Sequence, residues 1–169
     1  MRIVYLGSPD FAVPPLRSMA AAGWNISAVF SQPDRARGKR GQELLPTPVK
    51  SAAQQLAIPV FTPASINSEE ALDLVKDCRP DLLVVVAYGQ LLKPDLLAIP
   101  RCGAVNIHAS LLPAYRGAAP MQRALMRGER RSGATIMYLD QGMDSGDIIL
   151  QQEMPLGENE TFATLHERL

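Results

Sequence analysis

Residues 2–31, RIVYLGSPDFAVPPLRSMAAAGWNISAVFS, decide the fold. Residues 2–7 read as a buried strand that stops at Gly7, and Ser8-Pro9-Asp10-Phe11 supplies the turn chemistry that follows. A helix comes next. Pro14 sits in its first turn, where a missing N–H costs nothing, residues 16–22 are good helix formers, and Gly23 stands where a helix stops. Residues 26–31 (ISAVFS) make a second strand. Strand, helix and strand in so short a span form a βαβ unit, the mark of a parallel sheet with a crossover helix. A glycine after the first strand invites a dinucleotide or a nucleoside triphosphate. Neither G-x-G-x-x-G nor G-x-x-x-x-G-K occurs, which argues against both.

Outward from this unit, residues 32–42 read as an exposed, mobile loop with two glycines and four basic residues, Arg35, Arg37, Lys39 and Arg40. Thr47-Pro48 opens a helix to about residue 56, and residues 58–61 form a short third strand. Asn67 with Glu70 three residues later predicts a capping box for an amphipathic helix that turns Leu72 and Val75 toward the core, with Leu74 as a further candidate, and ends before Pro80. Residues 81–89 (DLLVVVAYG) are continuously apolar and β-branched, so they predict a central parallel strand buried on both faces. Its carboxyl end, Ala87-Tyr88-Gly89, then faces the crevice where open α/β sheets bind ligands.

Residues 105–108 form the next strand, followed by a loop to Pro113, a helix over residues 121–127 closed by Gly128, and a strand over 134–139. Residues 140–147 (DQGMDSGD) hold two glycines and three carboxylates and lead into a strand over 148–153, which makes a hairpin. Three carboxylates without a full ligand ladder predict no metal site. A last helix starts near Thr161 and runs to residue 169 without a stop signal, as if the chain belonged to something longer. The fold class expected is α/β: a Rossmann-like open, mostly parallel sheet with helices on both faces and a C-terminal β-hairpin.

The 17 basic and 17 acidic residues balance, so no global field favours nucleic acid or a membrane, and any such partner must meet a local patch. Cys78 and Cys102 lack metal-ligand spacing and read as reduced thiols of a cytoplasmic protein. The longest apolar run, residues 82–88, is far too short to span a bilayer. The length suits one domain, residues 1–169.

Chemistry concentrates in Val105-Asn106-Ile107-His108-Ala109-Ser110-Leu111-Leu112-Pro113. Side chains alternate along a strand, so Asn106 and His108 point the same way while Val105 and Ile107 point into packing. An amide beside an imidazole can polarise one carbonyl. The plainer role is to cap the strand end and bond the local backbone. The basic loop has two readings as well: an arm that contacts phosphates, or a solvated connection. His166, on the last helix, reads as a surface residue.

N-x-H followed by S-L-L-P, then R-G-A-A-P, then G-x-D-x-G-D at this spacing resembles the folate-dependent formyltransferase family. Gly7-Ser8-Pro9-Asp10-Phe11, Gln32-Pro33-Asp34-Arg35, Pro46-Thr47-Pro48-Val49-Lys50 and Val84-Val85-Val86-Ala87-Tyr88-Gly89 place the likeness in its methionyl-tRNA branch, nearly end to end. The resemblance implies a one-carbon transferase of translation initiation, acting as a monomer, that moves a formyl group from 10-formyltetrahydrofolate to initiator methionyl-tRNA. It implies Asn106, His108 and Asp144 as the catalytic trio, a choice among Asp140, Asp144 and Asp147 that spacing alone does not make. It implies a folate site at Ser110, Leu111, Leu112 and Pro113, with Ala87, Tyr88, Gly89, Leu139, Asp140 and Gly142 around the pteridine, and Arg35, Arg37, Lys39 and Arg40 against tRNA. That family continues into a second, β-barrel domain that binds tRNA, which these residues do not include. Two alternatives stand beside this: a sibling acting on glycinamide ribonucleotide or an amino sugar, and a non-catalytic Rossmann-like RNA- or nucleotide-binding module.

Overall fold

The computed structural model of the protein describes residues 1–37 and 43–169, which fall into two compact units, Met1–Ala104 and Val105–Leu169. In the first unit β1 (Arg2–Gly7), α1 (Val13–Ala21) and β2 (Asn25–Phe30) are the expected βαβ element, with a 3-10 turn at Asp10–Ala12 ahead of the helix. Gly23 takes φ +76° after the last turn of α1, as a helix-stopping glycine should. The chain continues through β3 (Arg35–Arg37), β4 (Glu43–Leu45), α2 (Pro48–Gln55), β5 (Val60–Phe61), α3 (Glu69–Asp77), β6 (Leu82–Val86) and the single-turn α4 (Pro94–Leu97).

The sheet of this unit runs β5-β2-β1-β6 with every pairing parallel. Burying one large apolar side chain contributes about 1.5–3 kcal/mol, and Ile3, Val4, Leu6, Val29, Phe30, Leu83 and Val86 are each essentially removed from water. The Tyr5 hydroxyl, in the same core, donates to the Ala12 carbonyl at 2.6 Å, and burial pushes its phenol up. Gly7 has no room for a side chain: a Cβ there would stand 2.9 Å from both the Ala12 methyl and the Tyr5 ring.

Several expectations need correction. The loop expected over residues 32–42 instead contains β3, paired antiparallel with β4 in a separate two-stranded ladder; Lys39 and Arg40 lie outside the described residues. Ser68, not Asn67, caps α3 by accepting the Ala71 N–H at 3.3 Å, because the Asn67 amide is taken by the Leu91 carbonyl and the Lys93 N–H. The third strand keeps only two residues. β6 is buried from Leu83 to Val86 as expected but stops short, since Ala87 turns to φ +47°. Thr47 does cap α2, accepting the Lys50 N–H at 3.1 Å.

The second unit holds β7 (Ala104–His108, entering from the last residue of the first unit), α5 (Pro120–Met126), β8 (Arg131–Tyr138), β9 (Ile148–Pro155) and α6 (Phe162–Arg168). Here β7-β8-β9 pair antiparallel, with His108 opposite Thr135 and a register shift between Ile136 and Met137. This is the expected hairpin. Gly133 is required by packing: a Cβ would stand 2.1 Å from the Gln152 carbonyl oxygen across the ladder. Thr161 and Thr164 close a capping box at the start of α6, and Leu165 is its buried residue.

Candidate active site

β7 delivers His108 at its last position, 8% exposed, with Asn106 half-buried two residues back on the strand. Val105 and Ile107 are half-buried too, so the pleat does not separate the two faces as sharply as alternation predicts. The imidazole is hydrogen-bonded at one nitrogen and faces a carboxylate with the other. Nε2 lies 2.9 Å from the Tyr115 carbonyl oxygen, and because a carbonyl only accepts, Nε2 carries the hydrogen. The other ring nitrogen, Nδ1, faces the Asp144 carboxylate at 3.5 Å.

The Asp144 carboxylate also accepts the Gly117 N–H at 2.8 Å. Tyr115 (φ +59°), Gly117 (φ +80°) and Asp144 (φ +48°) all occupy the left-handed region, which costs a non-glycine residue about 1–2 kcal/mol. The loops after β7 and β8 are bent to meet, and a Cβ at Gly117 would come within 3.0 Å of the Met143 sulfur.

The three carboxylates of residues 140–147 separate by geometry. Asp140 closes its own loop, taking the Gly142 N–H at 2.8 Å and the Ser145 hydroxyl at 2.9 Å. Asp147 is exposed, and its backbone carbonyl accepts the Tyr138 N–H. Asp144 alone faces the histidine. The Asn106 amide makes no hydrogen bond to the described residues, which leaves it open to a ligand.

The segment after His108 is fastened by groups that sequence reasoning missed. The buried Thr135 hydroxyl donates to the Ser110 carbonyl at 2.6 Å and accepts the Leu112 N–H at 3.1 Å. Gln151, on β9, reaches over to the Leu112 carbonyl at 2.7 Å and to the Thr135 hydroxyl at 2.9 Å. The available signal was a lone threonine in an apolar strand. Ser110 is buried with its hydroxyl on the Ala114 carbonyl, and Leu112 is buried, so Leu111 and Pro113 keep the more accessible surface of this loop, which contains a cis Leu112–Pro113 bond. Leu139 is half-buried, and Asp140 and Gly142 are exposed.

In the first unit, Ala87 and Gly89 are exposed on either side of Tyr88, which is 2% exposed. Its hydroxyl has no hydrogen-bond partner among the described residues, and burial pushes the phenol up to about 12. Arg35 and Arg37 belong to β3. Among the described residues no group of three or more His, Cys, Asp or Glu is arranged to hold a metal, and no helix is long and apolar enough to cross a membrane.

Comparison with known proteins gives these residues a family. A formyl transferase family model matches residues 1–169. The methionyl-tRNA formyltransferase of Kosmotoga olearia is 48% identical over 100% of this chain and 54% of its own length, and that of Geobacter sulfurreducens is 47% identical over 100% and 53%. The chain thus spans about half the length of the curated relatives it matches. Among solved structures, a phosphoribosylglycinamide formyltransferase from Bacillus halodurans superposes with a TM-score of 0.81 at 26% identity, covering 99% of this chain and 87% of that one. The chain belongs to the formyl transferase family.

Proposed function

We propose that the protein transfers the formyl group of 10-formyltetrahydrofolate to the amino group of initiator methionyl-tRNA, with Asn106, His108 and Asp144 as its reacting groups. The observation that carries this reading is the buried imidazole fixed between the Tyr115 carbonyl and the Asp144 carboxylate, beside an uncommitted amide. The curated relatives bear the name of that activity over the whole of this chain.

Formyl transfer needs an amine to attack a carbonyl, a donor for the charge that grows on oxygen, and a group that moves a proton. The donor, when bound, supplies an activated formyl carbonyl. Asn106 donates to its oxygen as charge develops. His108 takes the proton of the attacking amine at Nδ1 and returns it to the departing nitrogen. Asp144, 3.5 Å away, stabilises the imidazolium that forms between those two events. The separation exceeds hydrogen-bond length, and catalytic contacts of this kind often tighten only around substrate. Apolar and backbone groups at Leu111, Pro113, Leu139 and Gly142 suit a flat heterocycle.

Arg35, Arg37, Lys39 and Arg40 belong to the same reading as contacts to tRNA, and so do a cytoplasmic location and a monomeric state. The family resemblance of the phosphoribosylglycinamide formyltransferases favours a small ribonucleotide amine as the second candidate. Side-by-side assays with methionyl-tRNA and glycinamide ribonucleotide decide between them: formylation of the tRNA alone is expected, and formylation of the ribonucleotide alone would reverse the choice of acceptor.

A further inference from the structure

Residues 115–131 carry five arginines and one glutamate, in a molecule of zero formal charge. α5 carries Arg123, and Arg127, four residues on, caps its C-terminus with its N–H on the Arg123 carbonyl, which puts the two on the same side of the helix. Arg123 Nη1 donates to the Arg116 carbonyl at 3.3 Å, which brings Arg116 beside that face. The Arg127 guanidinium lies 5.8 Å from the centre of the Tyr115 ring. All three side chains are exposed. The nearby charges are committed elsewhere, since Glu129 accepts the Tyr115 hydroxyl and Arg131 pairs with Glu153 at 2.9 Å. Among the described residues no carboxylate pairs with Arg116, Arg123 or Arg127.

The cluster is rooted in the candidate site. Arg116 stands between Tyr115, whose carbonyl holds His108, and Gly117, whose N–H holds Asp144. Arginine presents a planar fork of donors that matches phosphate oxygens, and it keeps its charge at any working pH. A single phosphate is satisfied by one such fork. Three forks along one rim, none of them paired with a carboxylate, suit a chain of phosphates.

We propose that Arg116, Arg123 and Arg127 grip consecutive backbone phosphates of the acceptor RNA next to His108, so that the second unit holds the reacting end of the RNA independently of the basic residues Arg35, Arg37, Lys39 and Arg40. This rests on the reading of an RNA acceptor. Neutralising a phosphate contact removes one counterion release, worth about 0.7–0.9 in the slope of log affinity against log salt.

The test uses the protein at its full length, with all three arginines changed to Gln in one variant and to Lys in another. Methionyl-tRNA binding is followed by fluorescence anisotropy across a salt series, and formyl transfer is assayed alongside. The Gln variant should lose about 2 to 3 from the slope and bind at least tenfold more weakly at low salt, because three contacts vanish. The Lys variant should keep most of the slope, and unchanged circular dichroism should show that both variants are folded. Parallel slopes with equal affinities in parent and Gln variant would overturn the inference, and so would a parent that binds the tRNA without salt dependence. If the tRNA binds as expected yet is never formylated, the acceptor reading fails while the phosphate surface stands.

Discussion

Asp144 shows how the fold gives one residue a neighbour that its spacing does not assign. Its carboxylate meets His108 because the backbone takes φ +48° and the Gly117 N–H anchors the same oxygen, both consequences of the tertiary fold. Asparagine tolerates that backbone region, so Asp144→Asn removes charge without adding strain. We expect Asp144→Asn to slow turnover by one to several orders of magnitude and Asp147→Asn to change it little; equal effects in steady-state assays would contradict the choice of carboxylate. Asn106→Ala should cost about 2.7–4 kcal/mol in the barrier, the usual loss for an oxyanion donor, read as a 10²–10³-fold fall in kcat with normal unfolding. Asp81 supplies a residue-scale test of the fold. The Arg2 N–H at 2.7 Å, joined by the Arg101 guanidinium, holds its carboxyl below the usual carboxylate range. A carboxyl lowered by folding stabilises the protein above its unfolded value, near 3.9, and that contribution is lost as pH falls through the folded value. Asp81→Asn should therefore be less stable than the parent at neutral pH, with the gap closing as the solution is acidified below about 4; a gap constant with pH in urea titrations would contradict this.

Among the elements, the β8–β9 hairpin both carries the Asp144 loop and pins residues 110–112 through Thr135 and Gln151. Thr135→Val keeps the shape of the side chain and leaves the Ser110 carbonyl and Leu112 N–H without their partner. It should destabilise the protein by about 1–3 kcal/mol in denaturant titrations, the usual cost of stranding buried polar groups. A neutral substitution would mean that Gln151 or water replaces the hydroxyl. The elements legible in the sequence were those specified by their own residues: β1-α1-β2 with its Pro14 and Gly23, α2 with Thr47-Pro48, and the Gly-rich hairpin. Those that escaped depend on distant groups. Asn67 and Ser68 are both competent caps, and Ser68 wins because backbone at Leu91 and Lys93 occupies Asn67. The β3–β4 ladder joins two three-residue strands, one of them basic, with no apolar alternation to announce it.

For the whole molecule, composition excluded more than it assigned: zero formal charge hides an arginine-rich rim, and the Asn106–His108 pair alone fits a strand cap as well as a catalytic site. The order and spacing of separate motifs identified the family, because the motifs stand at strand ends, helix starts and loops that the fold has to build. Geometry then supplied what spacing left open, the pairing of His108 with Asp144 and the fastening of the loop behind it. The most direct measurement is formyl transfer from 10-formyltetrahydrofolate to methionyl-tRNA by the full-length protein, as the parent and as His108→Ala. The parent should yield N-formylmethionyl-tRNA, and the variant should remain folded and turn over about 10²-fold or more slower, the scale of a lost general acid–base group. Turnover in the variant close to that of the parent, or no formylated tRNA from the parent, would contradict the account.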